Sequence, residues 1–307
     1  MKHLLSLLDT DSASAVGLMD TALDVKKNPG KYLEALKGKT LLMIFEKPSL
    51  RTRLSFEAGM TQMGGHAIFL DVKDAPIGEK ESIEDTAKAA GRYCDIVMAR
   101  LFKQEQLEKL AENSPVPVIN GLTDMFHPCQ ILSDLLTIRE KKGKLKGLKL
   151  CFLGDGNNNV THSLLLGCAI AGISISVGCP KEHMPQQQVV KAALEKAKKS
   201  GSKIEVLNDA RKAAKDADIV YADSWMSYHV PKDKKEERVR AFKPFQVNSA
   251  MMALAKKDAI FMNCLPAMRG YEQTAEVIDG KQSIVFDQAE NRLHMQKAII
   301  LKLMGKV

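Results

Sequence analysis

The stretch LLMIFEKPSLRTRLSFEAGMTQMGG, residues 41–65, with AIFL at 67–70 after it, decides the fold class of the amino-terminal half. LLMIF (41–45) is an apolar run bounded by a Pro-containing turn, which reads as a buried strand. TRLSFEAGMTQMGG then has helical periodicity and stops on paired glycines. AIFL is the next strand. A strand, a turn, a helix and a further strand imply parallel pairing. Upstream, residues 14–36 read as one amphipathic helix closed by the Gly38 turn. Downstream come a polar loop (71–81) and a helix through SIEDTAKAAGRY (82–93), with Ser82 as N-cap and Asp85 in its first turn. Strands DIVMAR (95–100) and PVPVIN (115–120) follow.

HPCQILSDLLTIREKKGKLKG (127–147) reads as a helix running into a basic, Gly-punctuated stretch, and a domain boundary is expected there. A second series opens with LKLCFLGDG (148–156). It continues with helix 159–171, strand ISISVG (173–178), helix 185–200, strand KIEVLN (203–208), helix 209–215 and strand DIVYADSW (218–225). A last strand, SIVF (283–286), precedes a final helix at 287–304. The fold class expected is therefore α/β, with two domains that each carry a central parallel sheet flanked by helices, the second Rossmann-like. A length of 307 residues suits two cores of about 150 each. Functional loops are expected at the carboxyl ends of the strands.

Composition narrows the function classes. Hydrophobic residues are 45% and charged residues 27%, a globular balance that excludes a disordered chain. No apolar run approaches the roughly 20 residues of a membrane span. The start, MKHLLSLLDTD, is broken by Asp9 and Asp11 too early for a signal peptide, so a cytoplasmic location is expected. Six cysteines at 94, 129, 151, 168, 179 and 264 form no C-x-x-C pair, which argues for reduced thiols and against zinc. Cys151 and Cys168 fall in apolar patterns as small buried hydrophobes. The net charge of +8 gathers in KKGKLKGLK (141–149), KAKKS (196–200) and KDKKEER (232–238). None of these runs is interleaved with aromatics, so they read as solvated faces and not as a nucleic-acid surface.

Six short motifs carry chemistry. In FEKPSLRTR (45–53) a strand leaves into a turn and a helix start, where Ser49, Arg51 and Thr52 bring donors to a positive dipole end. Arg suits phosphate oxygens bidentately. In HPCQ (127–130), His127 precedes a Pro at a helix start and Gln130 lies one turn on. GDGNNN (154–159) resembles a dinucleotide loop, but Asn159 replaces the third glycine and the next strand ends on Gly178-Cys179 without an acidic residue. Its amides suit an amino-acid head group better than NAD. DSWMS (223–227) ends a strand on an Asp able to hold an ammonium. NCLP (263–266) sets a thiol beside a Pro with a candidate cis bond. DQAENRLH (287–294) puts Arg292 near the start of the last helix.

Taken in order, FEKPSLRTRLSFE, VINGLTDMFHPCQILSDLLTI, GDGNNNVTHSLL, DSWMS, FMNCLPAMRG and VFDQAENRLHMQKA resemble the ornithine carbamoyltransferase family across almost the whole chain. The resemblance implies a carbamoyl phosphate-binding domain at 1–140, an ornithine-binding domain at 141–286 and a C-terminal helix (287–307) that packs back on the first domain. It implies that Ser49, Leu50, Arg51, Thr52 and Arg100 bind phosphate. His127, Gln130 and Arg292, with the backbone near Cys264 and Leu265, would hold the carbamoyl group. Asn159, Asp223, Ser227 and Tyr228 would take ornithine, and Asp223 with Cys264 would face its reactive amine. A homotrimer whose 71–82 loop reaches the neighbouring subunit is implied too, with ordered binding and no metal or organic cofactor.

The residues depart from the family pattern at four places. Leu50 stands where the family has Thr, leaving a backbone N–H as the donor. Tyr228 and His229 replace Met and Gly after the D-x-W-x-S motif, and Asn263 replaces a His before C-L-P. The alternatives are a carbamoyltransferase for another amine such as putrescine or a modified ornithine, a non-catalytic paralogue, and a nucleotide-binding oxidoreductase. Asn159, Asp223 and Ser227 argue for an acceptor with an amino-acid head, because putrescine leaves them unpaired.

Overall fold

The computed structural model describes residues 1–73, 81–226 and 230–307, which form two compact units. The first comprises Met1–Leu136 with Glu290–Val307, and the second Thr137–Ala289.

In the first unit the strands are β1 (Thr40–Phe45), β2 (His66–Asp71), β3 (Ile96–Arg100) and β4 (Val118–Leu122). They pair in the order β2-β1-β3-β4, all parallel. β1 is apolar without alternation because both its faces are covered: Leu41, Met43, Ile44 and Phe45 are all buried. The helices are α1 (Ser12–Lys27), α2 (Leu50–Gln62), α3 (Ile83–Tyr93), α4 (Gln104–Asn113) and the first part of α5 (Pro128–Lys142). Residues 14–36 are not one helix. Pro29 lacks an N–H and restricts Asn28, so α1 stops at Lys27 and a 3-10 turn spans Pro29–Tyr32. Asp24 braces the break by accepting from Asn28 (2.7 Å) and Lys31 (2.6 Å).

The strands of the second unit are β5 (Lys149–Leu153), β6 (Ser174–Gly178), β7 (Ile204–Leu207), β8 (Ile219–Ala222) and β9 (Ile260–Asn263). They pair in parallel in the order β7-β6-β5-β8-β9. The helices are α6 (Asn159–Ala171), α7 (Gln187–Ser200), α8 (Ala210–Ala214), α9 (Lys235–Phe242), α10 (Ser249–Met252) and α11 (Ala275–Ile278). The order reverses between β5 and β8, the point at which doubly wound sheets leave a crevice at their carboxyl ends. The expected strand SIVF does not form. Only Ser283 bridges Phe261, and α12 (Val285–Leu303) has begun by Val285. The β-branched pair Ile284-Val285 suits a strand, but a helix start lets both side chains bury.

From Glu290 onward α12 belongs to the first unit, where Lys26 Nζ donates to Asn291 (2.9 Å) and Lys297 Nζ to Gln62 (2.5 Å). The fold is the α/β class expected, with a parallel sheet in each unit and the C-terminal helix on the first.

Candidate functional site

In the first unit the candidate residues lie at the carboxyl ends of adjacent strands. Phe45, the last residue of β1, pairs with Arg100, the last residue of β3. The chain then turns through Lys47-Pro48 into Ser49, the N-cap of α2, whose hydroxyl accepts from Thr52 N–H (3.3 Å). Leu50, at the first helical position, is 67% exposed and cannot be a core residue. Arg51 is half-buried on the same turn. At the other end of this set, α5 begins on Pro128, directly after buried His127.

Arg292 draws three helices together. Its Nη1 donates to Gln130 Oε1 of α5 (2.5 Å) and its Nη2 to Thr52 Oγ1 of α2 (3.2 Å), while it is itself carried on α12. Gln130 Nε2 in turn donates to buried Asp134 (2.9 Å), which fixes the carboxamide with its oxygen toward the guanidinium. His127 loses its affinity for a proton through burial first, then through the charges of Arg292, Arg100 and Lys47. It is therefore a neutral imidazole in a positive environment. Such a set favours a small polyanion and offers a neutral donor beside it.

Sequence reasoning misses Lys47, which is 3% exposed and belongs to this charge set. It pairs with Asp124 and lies 4.2 Å from the centroid of the Phe102 ring. Burial lowers its pKa despite Asp124, and Arg100 adds to that lowering. Its position two residues before the N-cap Ser49 is the signal that could have found it.

The second unit builds a different, acidic set. Asp223 directly follows β8 and is 8% exposed. Its Oδ1 accepts from Cys264 Sγ (3.0 Å) and its Oδ2 from Asn158 Nδ2 (3.3 Å). Burial raises its pKa above the usual carboxylate range; the Cys264 and Ser224 hydrogen bonds oppose this, and nearby Asp155 adds to it. Cys264 directly follows β9, and Leu265 takes a left-handed φ of 54° ahead of a cis Leu265–Pro266 bond, the isomer anticipated. Asn263 holds that turn: its Oδ1 accepts Leu265 N–H (2.8 Å) and its Nδ2 donates to Gln273 (3.0 Å).

Asn159 is the first residue of α6, and Asn158 before it, the N-cap, donates to Asp223 and accepts from Thr161 N–H (2.8 Å). Three consecutive asparagines give the sequence no means of telling the capping one from its neighbours. Gly156 is required by packing: a Cβ there would stand 2.5 Å from the carbonyl oxygen of His183. Ser227 and Tyr228 lie outside the described residues, as does most of the 71–82 loop. Cys264 and Leu265, expected beside the carbamoyl group, are residues of the second unit, whereas Arg100, His127, Gln130 and Arg292 are residues of the first.

Comparison with known proteins agrees with both halves. Residues 2–140 match the carbamoyl-P binding domain of the aspartate/ornithine carbamoyltransferases, and residues 146–303 match their Asp/Orn binding domain. An ornithine carbamoyltransferase of Methanothermobacter thermautotrophicus is 50% identical, covering 100% of both chains. That of Methanocaldococcus jannaschii is 48% identical over 97% of each. Among solved structures, ornithine carbamoyltransferase from Pyrococcus furiosus superposes with a TM-score of 0.96 at 46% identity, covering 100% of this chain and 98% of its own. The chain belongs to the aspartate/ornithine carbamoyltransferase family.

Proposed function

We propose that this transferase moves the carbamoyl group of carbamoyl phosphate to the δ-amine of L-ornithine, giving L-citrulline and phosphate. The observation that carries the proposal is full-length identity of 48–50% to proteins named ornithine carbamoyltransferase. The side chains are chemically suited to it. Ser49, Arg51, Thr52 and Arg100, with the N–H of Leu50, take the phosphate. His127, Gln130 and Arg292 take the carbamoyl group, and Asn159, Asp223 and Ser227 take ornithine, with Tyr228 beside them.

The amine attacks in its neutral form. Burial disfavours an ammonium, and the Asp223 carboxylate accepts from the nitrogen as it sheds its proton. Attack forms the N–C bond and a tetrahedral oxyanion, to which neutral His127 and the Arg292 guanidinium donate. Collapse breaks the C–O bond to phosphate, and the second proton that the nitrogen loses, on bonding to carbon, leaves with phosphate. Arg51 and Arg100 balance the charge that gathers on the leaving group. The Asp223–Cys264 pair supports an amine acceptor, and the resemblance supports a trimer, which light scattering should report as the mass of three chains.

Colorimetric detection of citrulline from carbamoyl phosphate and ornithine tests the proposal. Product from putrescine and none from ornithine would reject it. Arg51→Ala is expected to lower kcat/KM for carbamoyl phosphate by about 10²-fold or more, and wild-type kinetics would remove Arg51 from the phosphate site. Cys264→Ser keeps a hydroxyl donor toward Asp223. It should raise KM for ornithine by roughly tenfold while leaving carbamoyl phosphate binding intact; an unchanged ornithine KM would show the thiol idle.

A further inference from the structure

Arg238 of α9 closes KDKKEER, a run with the composition of a solvated basic face, yet its side chain is only 12% exposed. Its Nη2 donates to Asp155 Oδ2 (2.5 Å) and its Nε to the carbonyl oxygen of Trp225 (2.7 Å), with the guanidinium 4.9 Å from the centroid of the Phe242 ring. One side chain thus joins the loop after β5 to the loop after β8.

Both loops lead to Asp223. Asp155 Oδ1 accepts Asn157 N–H (3.0 Å) and the Asp155 carbonyl accepts from Thr161 Oγ1 (2.8 Å), which together shape the turn that presents Asn158 to Asp223. Trp225 stands two residues after Asp223. Its N–H donates to Glu272 Oε1 (3.2 Å), so its two backbone groups are clamped by Glu272 and Arg238. Glu272 also accepts from Met268 N–H (3.0 Å), in the turn that follows Cys264 and Leu265.

We propose that Arg238 is a positioning residue for the amine substrate, acting by bridging Asp155 and Trp225 and by neutralising the Asp155 carboxylate next to Asp223. The proposal rests on the ornithine reading above. The groups facing Asp223 are Cys264 and Asn158 by contact, with Asp155 and Glu272 as neighbouring carboxylates; His183 Nδ1 stands 3.7 Å from Asp155. Arg238 is a cation bonded to this group through Asp155. Without it the charge on Asp155 goes uncompensated, and Asp223 binds its proton more tightly. The carboxylate that must accept from the amine then forms only at higher pH.

The test is steady-state kinetics on the full-length enzyme, with direct calorimetry of carbamoyl phosphate. Arg238→Met should raise KM for ornithine by about tenfold or more, and leave the Kd for carbamoyl phosphate within about twofold. The acid limb of kcat/KM for ornithine should move to higher pH. Asp155→Asn added to Arg238→Met removes the uncompensated charge and should recover about threefold of the loss and return the limb toward its wild-type position. Arg238→Lys reaches only one of the two acceptors and should raise the ornithine KM by about threefold, which keeps the test open if the Met variant does not fold. An unshifted acid limb, a double variant no better than the single, or a wild-type ornithine KM in Arg238→Lys would overturn the proposal. Wild-type enzyme that makes no citrulline would instead remove the functional reading on which it stands.

Discussion

Arg292→Met is expected to lower kcat/KM for carbamoyl phosphate by about 10³-fold or more, the scale seen when a charged transition-state donor is removed. The size of the effect follows from what this one side chain does. Arg292 is 3% exposed, and its guanidinium bonds to Gln130 on α5 and Thr52 on α2. Methionine fills the volume but supplies neither the charge nor the planar fork. Arg292→Lys restores the charge alone and should recover less than about tenfold, because a single ammonium cannot reproduce both directed bonds. A second readout concerns His127. The Arg292 charge is the first of the three that hold its pKa below 6.5, so in Arg292→Met the imidazole should bind a proton more readily. Its titration, followed by NMR, should move up toward the ordinary value. A kcat/KM for carbamoyl phosphate within about twofold of wild type would sink the assignment.

The strand-and-helix alternation is legible because parallel central strands must be apolar on both faces and helices must stripe, and both patterns survive in one sequence. What the sequence hides is decided by tertiary partners. Pro29 breaks a helix whose apolar stripe continues past it, and the 3-10 turn at Pro29–Tyr32 keeps Tyr32 and Leu36 buried without it. SIVF has strand composition, but only Ser283 forms a bridge and its last two residues begin α12. Ser49 can be placed in advance because a strand, a turn and a helix start in succession put it at the cap of α2. Asn158, Glu272 and Arg238 cannot, since each works by reaching a residue at least 13 positions away. A charged residue inside KDKKEER differs from its neighbours only in what the fold sets against it.

Asp223→Asn should separate function from stability in opposite directions. Loss of the carboxylate removes the acceptor for the amine's proton, and kcat should fall by about 10³-fold with carbamoyl phosphate affinity retained. Stability should not fall with it. Burial raises the pKa of Asp223 in the folded protein above 3.8, so the fold prefers the protonated form and tolerates the ionised one at a cost. The sign follows from linkage: below the ordinary carboxylate pKa the group is neutral in both states and is fully accommodated. As pH rises through the folded pKa, that accommodation is lost, at about 1.4 kcal/mol per pH unit separating the ordinary pKa from the raised one. Asparagine is neutral throughout; its amide oxygen can accept from Asn158 Nδ2 while its NH2 donates to the Cys264 sulfur. At neutral pH the variant should therefore melt no lower than wild type, and its advantage should shrink as the pH falls toward about 4, near the ordinary carboxylate value. A variant that melts well below wild type at neutral pH would mean that the ionised Asp223 holds the second unit together, and its role would then be structural before it is catalytic.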